Sequence, residues 1–206
     1  DEITIDGNSG AIYLKKLKLS PPETSETLNT LLNWSNDFCD IGIRANADTI
    51  EDARVARSFK IDGVGLCRTE HMFLASSRIS LVRQMILSEN ENARLSTLER
   101  LLQIQKNDFV ELFKEMAGLP VTIRLLDPPL HEFLPNSDSE IIHTAQMMKI
   151  EKNQLVDRIE DLTEFNPMLG TRGVRLGVVM PEIYEMQAKA IFLATIEVNK
   201  VYNTKV

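Results

Sequence analysis

From Ile41 onward the chain alternates short apolar runs with segments of helical periodicity, and that alternation restricts it to an α/β fold built on a parallel sheet. Three strands are expected: Ile41-Gly42-Ile43-Arg44-Ala45, then Gly63 to Arg68, then Val121 to Leu126. After the first, Thr49 is a natural N-cap, with Glu51 and Asp52 in the first turn of a helix reaching about Lys60. Ile79, Val82 and Ile86 mark a further segment. Leu95, Leu98, Leu102, Phe109, Leu112, Phe113 and Met116 then form one stripe of a long helix that Gly118 stops. Beyond the third strand come a helical patch with Ile142 and Met147, an amphipathic stretch from Leu155 to Leu162, and an irregular Asn166-Pro167 loop. A last helix takes Pro181 as its first residue.

The front of the chain is different. Ile3 to Leu14 alternates apolar and polar residues on both sides of a Gly/Asn/Ser turn, as a β-hairpin does. Ser20-Pro21-Pro22 reads as a linker, which puts a boundary near residue 20, and Leu28, Leu31, Leu32 and Phe38 follow at near-helical spacing. With 23 basic against 30 acidic residues the net charge is -7, which argues against a general nucleic-acid or polybasic membrane surface, so any anion site must be local. Two cysteines, Cys39 and Cys67, are too few for a disulfide framework and are expected to be buried thiols in a reducing compartment. Apolar runs such as Ala190 to Ile196 fall short of the roughly 20 residues a membrane-spanning helix needs, and Asp1 opens no signal-peptide pattern. A cytoplasmic protein with neither membrane nor nucleic-acid partners is the expectation.

The chemistry is carried by arginine. Arg44, Arg68 and Arg124 each fall at or near the carboxyl end of an expected strand, where α/β sheets and barrels bind ligands. Simple alternation puts Val64, Leu66 and Arg68 on one face, and Thr122, Arg124 and Leu126 likewise. Neighbouring parallel strands would then converge their arginines on a phosphate or carboxylate, for which guanidinium supplies bidentate donors. Internal pairing is an equal rival, since Glu70 follows Arg68 by two residues and Asp127 follows Arg124 by three. A third cluster, Gly170-Thr171-Arg172-Gly173-Val174-Arg175, has glycines that permit close backbone approach, but alone it is an ordinary loop.

The wording of these segments is more specific than their spacing. Gly63-Val64-Gly65-Leu66-Cys67-Arg68-Thr69-Glu70-His71-Met72-Phe73 resembles a signature of the phosphoenolpyruvate-utilising enzymes. Thr122 to Pro135, with its Asp127-Pro128-Pro129-Leu130-His131-Glu132-Phe133 run, is similar to the form found in the pyruvate, phosphate dikinase branch of that family. Asn166 to Gly173 matches a third family motif, Arg44 to Thr49 resembles the first barrel strand, and Ile5 to Gly10 resembles the closing hairpin of a swivelling phosphohistidine domain. Phosphoenolpyruvate synthase and the phosphotransferase-system enzyme I share the arginine-bearing strand but lack the Pro128-Pro129 loop.

The resemblance implies a partial TIM-type β/α barrel with long helical connections, preceded by a short hairpin: residues 1–19 close the swivelling domain, and 20–206 begin the phosphoenolpyruvate/pyruvate-binding barrel. It implies a parent transferase in which ATP and phosphate charge a histidine that exchanges its phosphoryl group with pyruvate. Arg68 and Arg124 would hold the two ends of phosphoenolpyruvate, Arg172 would join the same cradle, and Asp127 would support Arg124. His71 and His131 fall in family motifs at loop positions, His143 falls in a helix, and none resembles the phosphorylated histidine. The family's Mg2+ ligands and catalytic cysteine have no matching stretch here, and Thr171 stands where a larger polar residue is usual.

An economical closed barrel takes roughly 250 residues, so three strands cannot close one, and the chain reads as an interior slice. Uncovered strand edges and helix faces predict self-association or exchange between copies. The isolated chain is expected to lack dikinase turnover. The alternatives are a non-catalytic degenerate or interaction module whose arginines pair internally, or a piece of one of the two relatives just named.

Overall fold

The computed structural model describes residues 2–19, 25–75, 78–166 and 168–202. The expected linker Ser20-Pro21-Pro22 and the Pro167 of the irregular loop lie outside the described residues. The chain divides into two compact units, Asp1–Gly42 and Ile43–Val206.

In the first unit β1 (Thr4–Ile5) pairs antiparallel with β2 (Ile12–Tyr13), as the alternation around the turn predicts. Asp6 builds the turn by accepting from the Asn8 amide at 2.9 Å and the Ser9 hydroxyl, and the Ser9 bond is the first cause of a lowered Asp6 pKa. Helix α1 (Glu26–Phe38) starts at Ser25, whose hydroxyl accepts from the Leu28 amide at 3.1 Å, and none of its residues is buried. Cys39 caps its far end and is exposed, which corrects the expectation of two buried thiols.

The second unit is a mixed α/β fold. Its sheet has the order β3 (Arg44–Asn46), β4 (Gly63–Arg68), β5 (Val121–Arg124), all parallel. Helix α2 (Ile50–Ser58) connects the first pair, and α3 (Thr69–Phe73), α4 (Ile79–Leu87) and α5 (Glu91–Glu115) connect the second. After β5 come a single 3-10 turn (Leu130–Phe133), α6 (Asp138–Met148), α7 (Lys152–Leu162), α8 (Val174–Val179) and α9 (Pro181–Val201). Thr49 caps α2 through a reciprocal bond with Asp52, and Pro181 opens α9 as expected. No helix among the described residues is long and apolar enough to cross a membrane.

Helix α5 lies against α9 and carries the core. Leu98, Leu101, Leu102, Phe109, Leu112 and Phe113 are buried from α5, and Ile183, Met186, Ala190, Ala194 and Val198 from α9. Each large side chain removed from water contributes about 1.5–3 kcal/mol, and Phe109 and Phe113 stack with centroids 5.7 Å apart. Small Ala190 and Ala194 leave room for the backbones to approach. Leu95, expected on this stripe, is 41% exposed, because in that first turn it is Arg94 that turns inward, to an ion pair with Glu182 of α9 at 3.2 Å. In α6 the inward stripe is Ile141, Thr144, Ala145 and Met148, so Ile142 and Met147 face solvent.

Two strand boundaries differ from expectation. β3 begins at Arg44; Ile41 is 78% exposed, and the Ile43 amide donates to the Asp62 carboxylate at 2.6 Å instead of joining a ladder. β5 ends at Arg124, since Leu126 is taken by α9: its amide donates to Gln187 Oε1 at 2.8 Å, and Tyr184 donates to its carbonyl at 2.7 Å. Gly63 is a close-approach glycine. With φ +152°, it would put a Cβ 2.6 Å from the Pro120 carbonyl oxygen, to which the Val64 amide donates at 2.8 Å.

Candidate functional site: an arginine cluster at the sheet edge

Strand β4 holds one residue more than either neighbour. Ala45 pairs with Val64 but Asn46 with Leu66, and Val121 pairs with Val64 but Ile123 with Cys67. An extra residue reverses side-chain parity beyond it. Val64 and Cys67 therefore share the core face, both 0% exposed, while Leu66 and Arg68 share the other. The simple alternation that grouped Val64 with Arg68 is corrected by this bulge.

Beyond the bulge Arg68 and Arg124 are register partners on adjacent parallel strands, which lie about 4.8 Å apart. Thr122 shares Arg124's face, but Leu126 lies past the strand end. Arg44 is not with them. It opens β3 opposite Gly63, at the amino end of the sheet, so only two of the three strand arginines converge.

Each convergent arginine has an acidic partner. Arg68 Nη1 is 3.1 Å from Asp48 Oδ2, and the Arg68 amide donates to Asp48 Oδ1 at 2.6 Å. Arg124 Nη2 pairs with Glu70, and its Nη1 lies 3.5 Å from Asp127 Oδ2. Arg172 Nη2 donates to that same Asp127 oxygen at 2.7 Å. Asp127 therefore joins Arg124 to Arg172 and brings the third motif beside the first two. Of the internal pairings weighed as rivals to a ligand, Arg68–Glu70 does not form, since Glu70 in α3 reaches across to the next strand, whereas the Arg124–Asp127 contact does.

Three arginines face three carboxylates, yet their exposures differ. The side chains of Arg68, Arg124 and Arg172 are 29%, 38% and 31% exposed, against 12% for Asp48 and 6% for Glu70. Asp48 and Glu70 lie behind the guanidiniums, whereas Asp127, 30% exposed, stands level with them. Glu70 Oε2 and Arg124 Nε are buried without a hydrogen-bond partner. Thr69, fully buried, donates its hydroxyl to the Arg124 carbonyl at 3.0 Å and ties the two strand ends together.

Several contributors were not visible in the sequence. Tyr184 on α9 has its hydroxyl 2.7 Å from the Leu126 carbonyl and 3.0 Å from that of Gly173, bridging the loop after β5 to the Arg172 loop. Burial, then the charge of Asp127, pushes its pKa upward. Gln187 lies one turn further along α9, and only the 3.6-residue period from Pro181 could have paired it with Tyr184. Glu164 accepts from the Thr171 amide, and its carboxylate fills the space where a Cβ at Gly170 would sit. His131 Nδ1 lies 4.0 Å from Glu164, His71 Nδ1 lies 2.8 Å from Asp48, and His143 is exposed on α6.

The Cys67 side chain faces the core from β4, and burial pushes its thiol pKa up to about 12. A cavity of about 450 Å³ opens beside Asp48 and His71, lined also by Arg54, Arg78, Asp108 and Glu111, and the three clustered arginines do not line it. Among the described residues no three of His, Cys, Asp and Glu are placed to hold a metal ion.

The family described as PEP-utilising enzyme, PEP-binding domain matches residues 22–203, and the chain belongs to it. Its relatives are more particular. It is 51% identical over 197 residues to pyruvate, phosphate dikinase of Rhizobium meliloti (strain 1021), covering 96% of this chain and 22% of that one. It is 49% identical over 200 residues to the Giardia intestinalis dikinase, covering 97% and 23%. Identity to the chloroplastic dikinase of Mesembryanthemum crystallinum is 48% over 202 residues, covering 97% and 21%. The chain thus spans between a fifth and a quarter of the length of these curated relatives.

Proposed function

We propose that this chain is a segment of a pyruvate, phosphate dikinase and carries part of its phosphoenolpyruvate/pyruvate site. Arg68, Arg124 and Arg172 hold the phosphoryl and carboxylate groups, and Asp127 keeps Arg124 and Arg172 together. The observation that supports this best is the register pairing of Arg68 with Arg124 at the sheet's carboxyl edge, with Arg172 brought alongside through Asp127. In such a cluster each charge-assisted hydrogen bond to a bound anion contributes roughly 1.5–3 kcal/mol. Positive charge gathered there also favours a migrating phosphoryl group. In the whole enzyme ATP, pyruvate and phosphate would interconvert with AMP, phosphoenolpyruvate and diphosphate through a phosphohistidine carried elsewhere, with Mg2+ held by residues outside this chain.

The β3-β4-β5 sheet with its helices is the opening part of a β/α barrel beginning near residue 20, and residues 1–19 close a swivelling domain. This site works in the cytoplasm in that reading. Exposed apolar residues such as Val174, Val178, Phe192 and Ile196 on α8 and α9 support self-association of the isolated chain. Light scattering after size exclusion checks that, with a monomer at high concentration counting against it.

The three-to-three charge balance favours a second reading, in which the cluster is an internal brace and binds nothing. Calorimetric titration with phosphoenolpyruvate and with oxalate separates the two. Binding that Arg68→Ala and Arg124→Ala abolish, and that exposed Arg100→Ala leaves intact, supports the anion site. No heat with either ligand, or equal loss in all three variants, supports the brace.

A further inference from the structure

Asp48 follows the last residue of β3 by two positions and sits just before the Thr49 cap of α2. The sheet ladder runs out there. The Ala47 amide still donates to the Leu66 carbonyl at 3.1 Å, but the next donor on β4, the Arg68 amide, finds Asp48 Oδ1 at 2.6 Å instead of a backbone oxygen. The other carboxylate oxygen accepts from Arg68 Nη1 at 3.1 Å and has His71 Nδ1 at 2.8 Å. One carboxylate thus grips Arg68 at both ends, backbone and guanidinium, while its own position is fixed by two adjoining elements and a third donor. At 12% exposure it is far less accessible than the arginine it holds.

We propose that Asp48 is a positioning residue of the phosphoenolpyruvate site, aiming the Arg68 guanidinium at the ligand through this double grip. The inference rests on the anion-binding reading of the arginine cluster. An arginine side chain has several rotatable bonds and loses binding free energy when it must be ordered by the ligand itself. A carboxylate that orders it beforehand removes that loss. The carboxylate also opposes the ligand's charge, so charge and position pull in opposite directions, and the sign of one substitution separates them.

In Asp48→Asn the remaining oxygen can still accept from the Arg68 amide, but the amide NH2 presents donors to the guanidinium, which has donors only. Removing a negative charge tightens anion binding if Asp48 acts only as a charge. It weakens binding if Asp48 aims Arg68. Asp48→Glu keeps the charge and displaces it by one methylene, so it carries the same test should the Asn variant fail to fold.

The experiment is calorimetric titration of phosphoenolpyruvate into the 206-residue chain, its Asp48→Asn and Asp48→Glu variants, and the same variants combined with Arg68→Lys. The expected result is about tenfold weaker binding on changing Asp48 in the otherwise unaltered chain and less than about twofold in the Arg68→Lys background, because residues acting as one unit are non-additive. Unchanged or tighter binding in Asp48→Asn overturns the proposal, as does an equal loss in both backgrounds, the mark of a general structural effect. If the unaltered chain itself binds no phosphoenolpyruvate, the anion-site reading fails, and the proposal with it.

Discussion

Glu70, in the first turn of α3, crosses from the end of one strand to the guanidinium of Arg124 at the end of the next. Its side chain is nearly buried, and its second oxygen has no hydrogen-bond partner. Breaking a fully buried ion pair costs about 3–5 kcal/mol, but Arg124 keeps 38% of its side chain in solvent and is correspondingly screened. Glu70→Ala is therefore expected to lose about 1–2 kcal/mol in urea unfolding. Glu70→Gln, which keeps an acceptor for Arg124, should lose less. An alanine variant as stable as the parent would show that the pair contributes nothing.

The two cysteines should react at very different rates. Cys39 is exposed, whereas the Cys67 thiol ordinarily ionises near 9 and is pushed up to about 12, first by burial and then by the charges of Asp48 and Glu70. Since the thiolate is the nucleophile, Ellman's reagent at pH 8 should label one thiol quickly and the second only on unfolding. The linkage has a definite sign. Above pH 9 the unfolded chain releases the Cys67 proton while the folded chain retains it, so this group makes stability fall as pH rises further. Cys67→Ala should flatten that alkaline slope.

Thr49 and Asp52 cap α2 reciprocally, and the Thr49 hydroxyl is the first cause of Asp52's lowered pKa. Thr49→Ala should cost about 1 kcal/mol near neutral pH. A carboxyl whose pKa is depressed on folding stabilises the fold above its ordinary range, and loses that contribution as pH falls through the folded value. The variant should therefore show a shallower loss of stability in acid. Parallel acid titrations of both chains would contradict this.

Glycine substitutions should sort by what they meet. A Cβ at Gly63 would lie 2.6 Å from a backbone oxygen, in a positive-φ conformation, so neither side can give way easily. Gly63→Ala is expected to cost about 1–3 kcal/mol of strain. At Gly170 the obstacle is the tip of the Glu164 side chain, which can rotate aside at the expense of its bond to the Thr171 amide. Gly170→Ala should cost less. Thermal melts of the two variants check the order, and a reversed order would contradict it.

What was legible in the sequence was local or periodic. Thr49 before Glu51 and Asp52, Pro181 at the start of α9, and the spacing from Leu98 to Phe113 are set by interactions within a few turns, and each stands where pattern puts it. The family motifs also singled out Arg68, Arg124, Arg172 and Asp127; the fold sets Arg68 beside Arg124 in register and joins Arg124 to Arg172 through Asp127. Non-local features escaped. Arg44 was misassigned because nothing in Ile41 to Ala45 says where the ladder begins; that depends on Asp62 and Gly63 across the sheet. The face of Arg68 was misread because a bulge is defined only against neighbouring strands. Glu70's partner, and the contributions of Asp48, Tyr184 and Gln187, likewise depend on distant elements meeting.

The additional residue in β4 has a mechanical meaning. Val64 upstream of it and Cys67 downstream both seat the strand on the hydrophobic interior, while Arg68 offers a cation outward from the strand's end, so one strand answers to two demands. Mutational drift in the interior around Val64 can alter how firmly the strand is anchored without swinging the Arg68 tip. Without Gly65 the strand would alternate strictly with Val64 and Cys67 still on the core face and Arg68 still outward, so the additional residue is what lets Val64 and Arg68, four positions apart in the chain, face opposite ways.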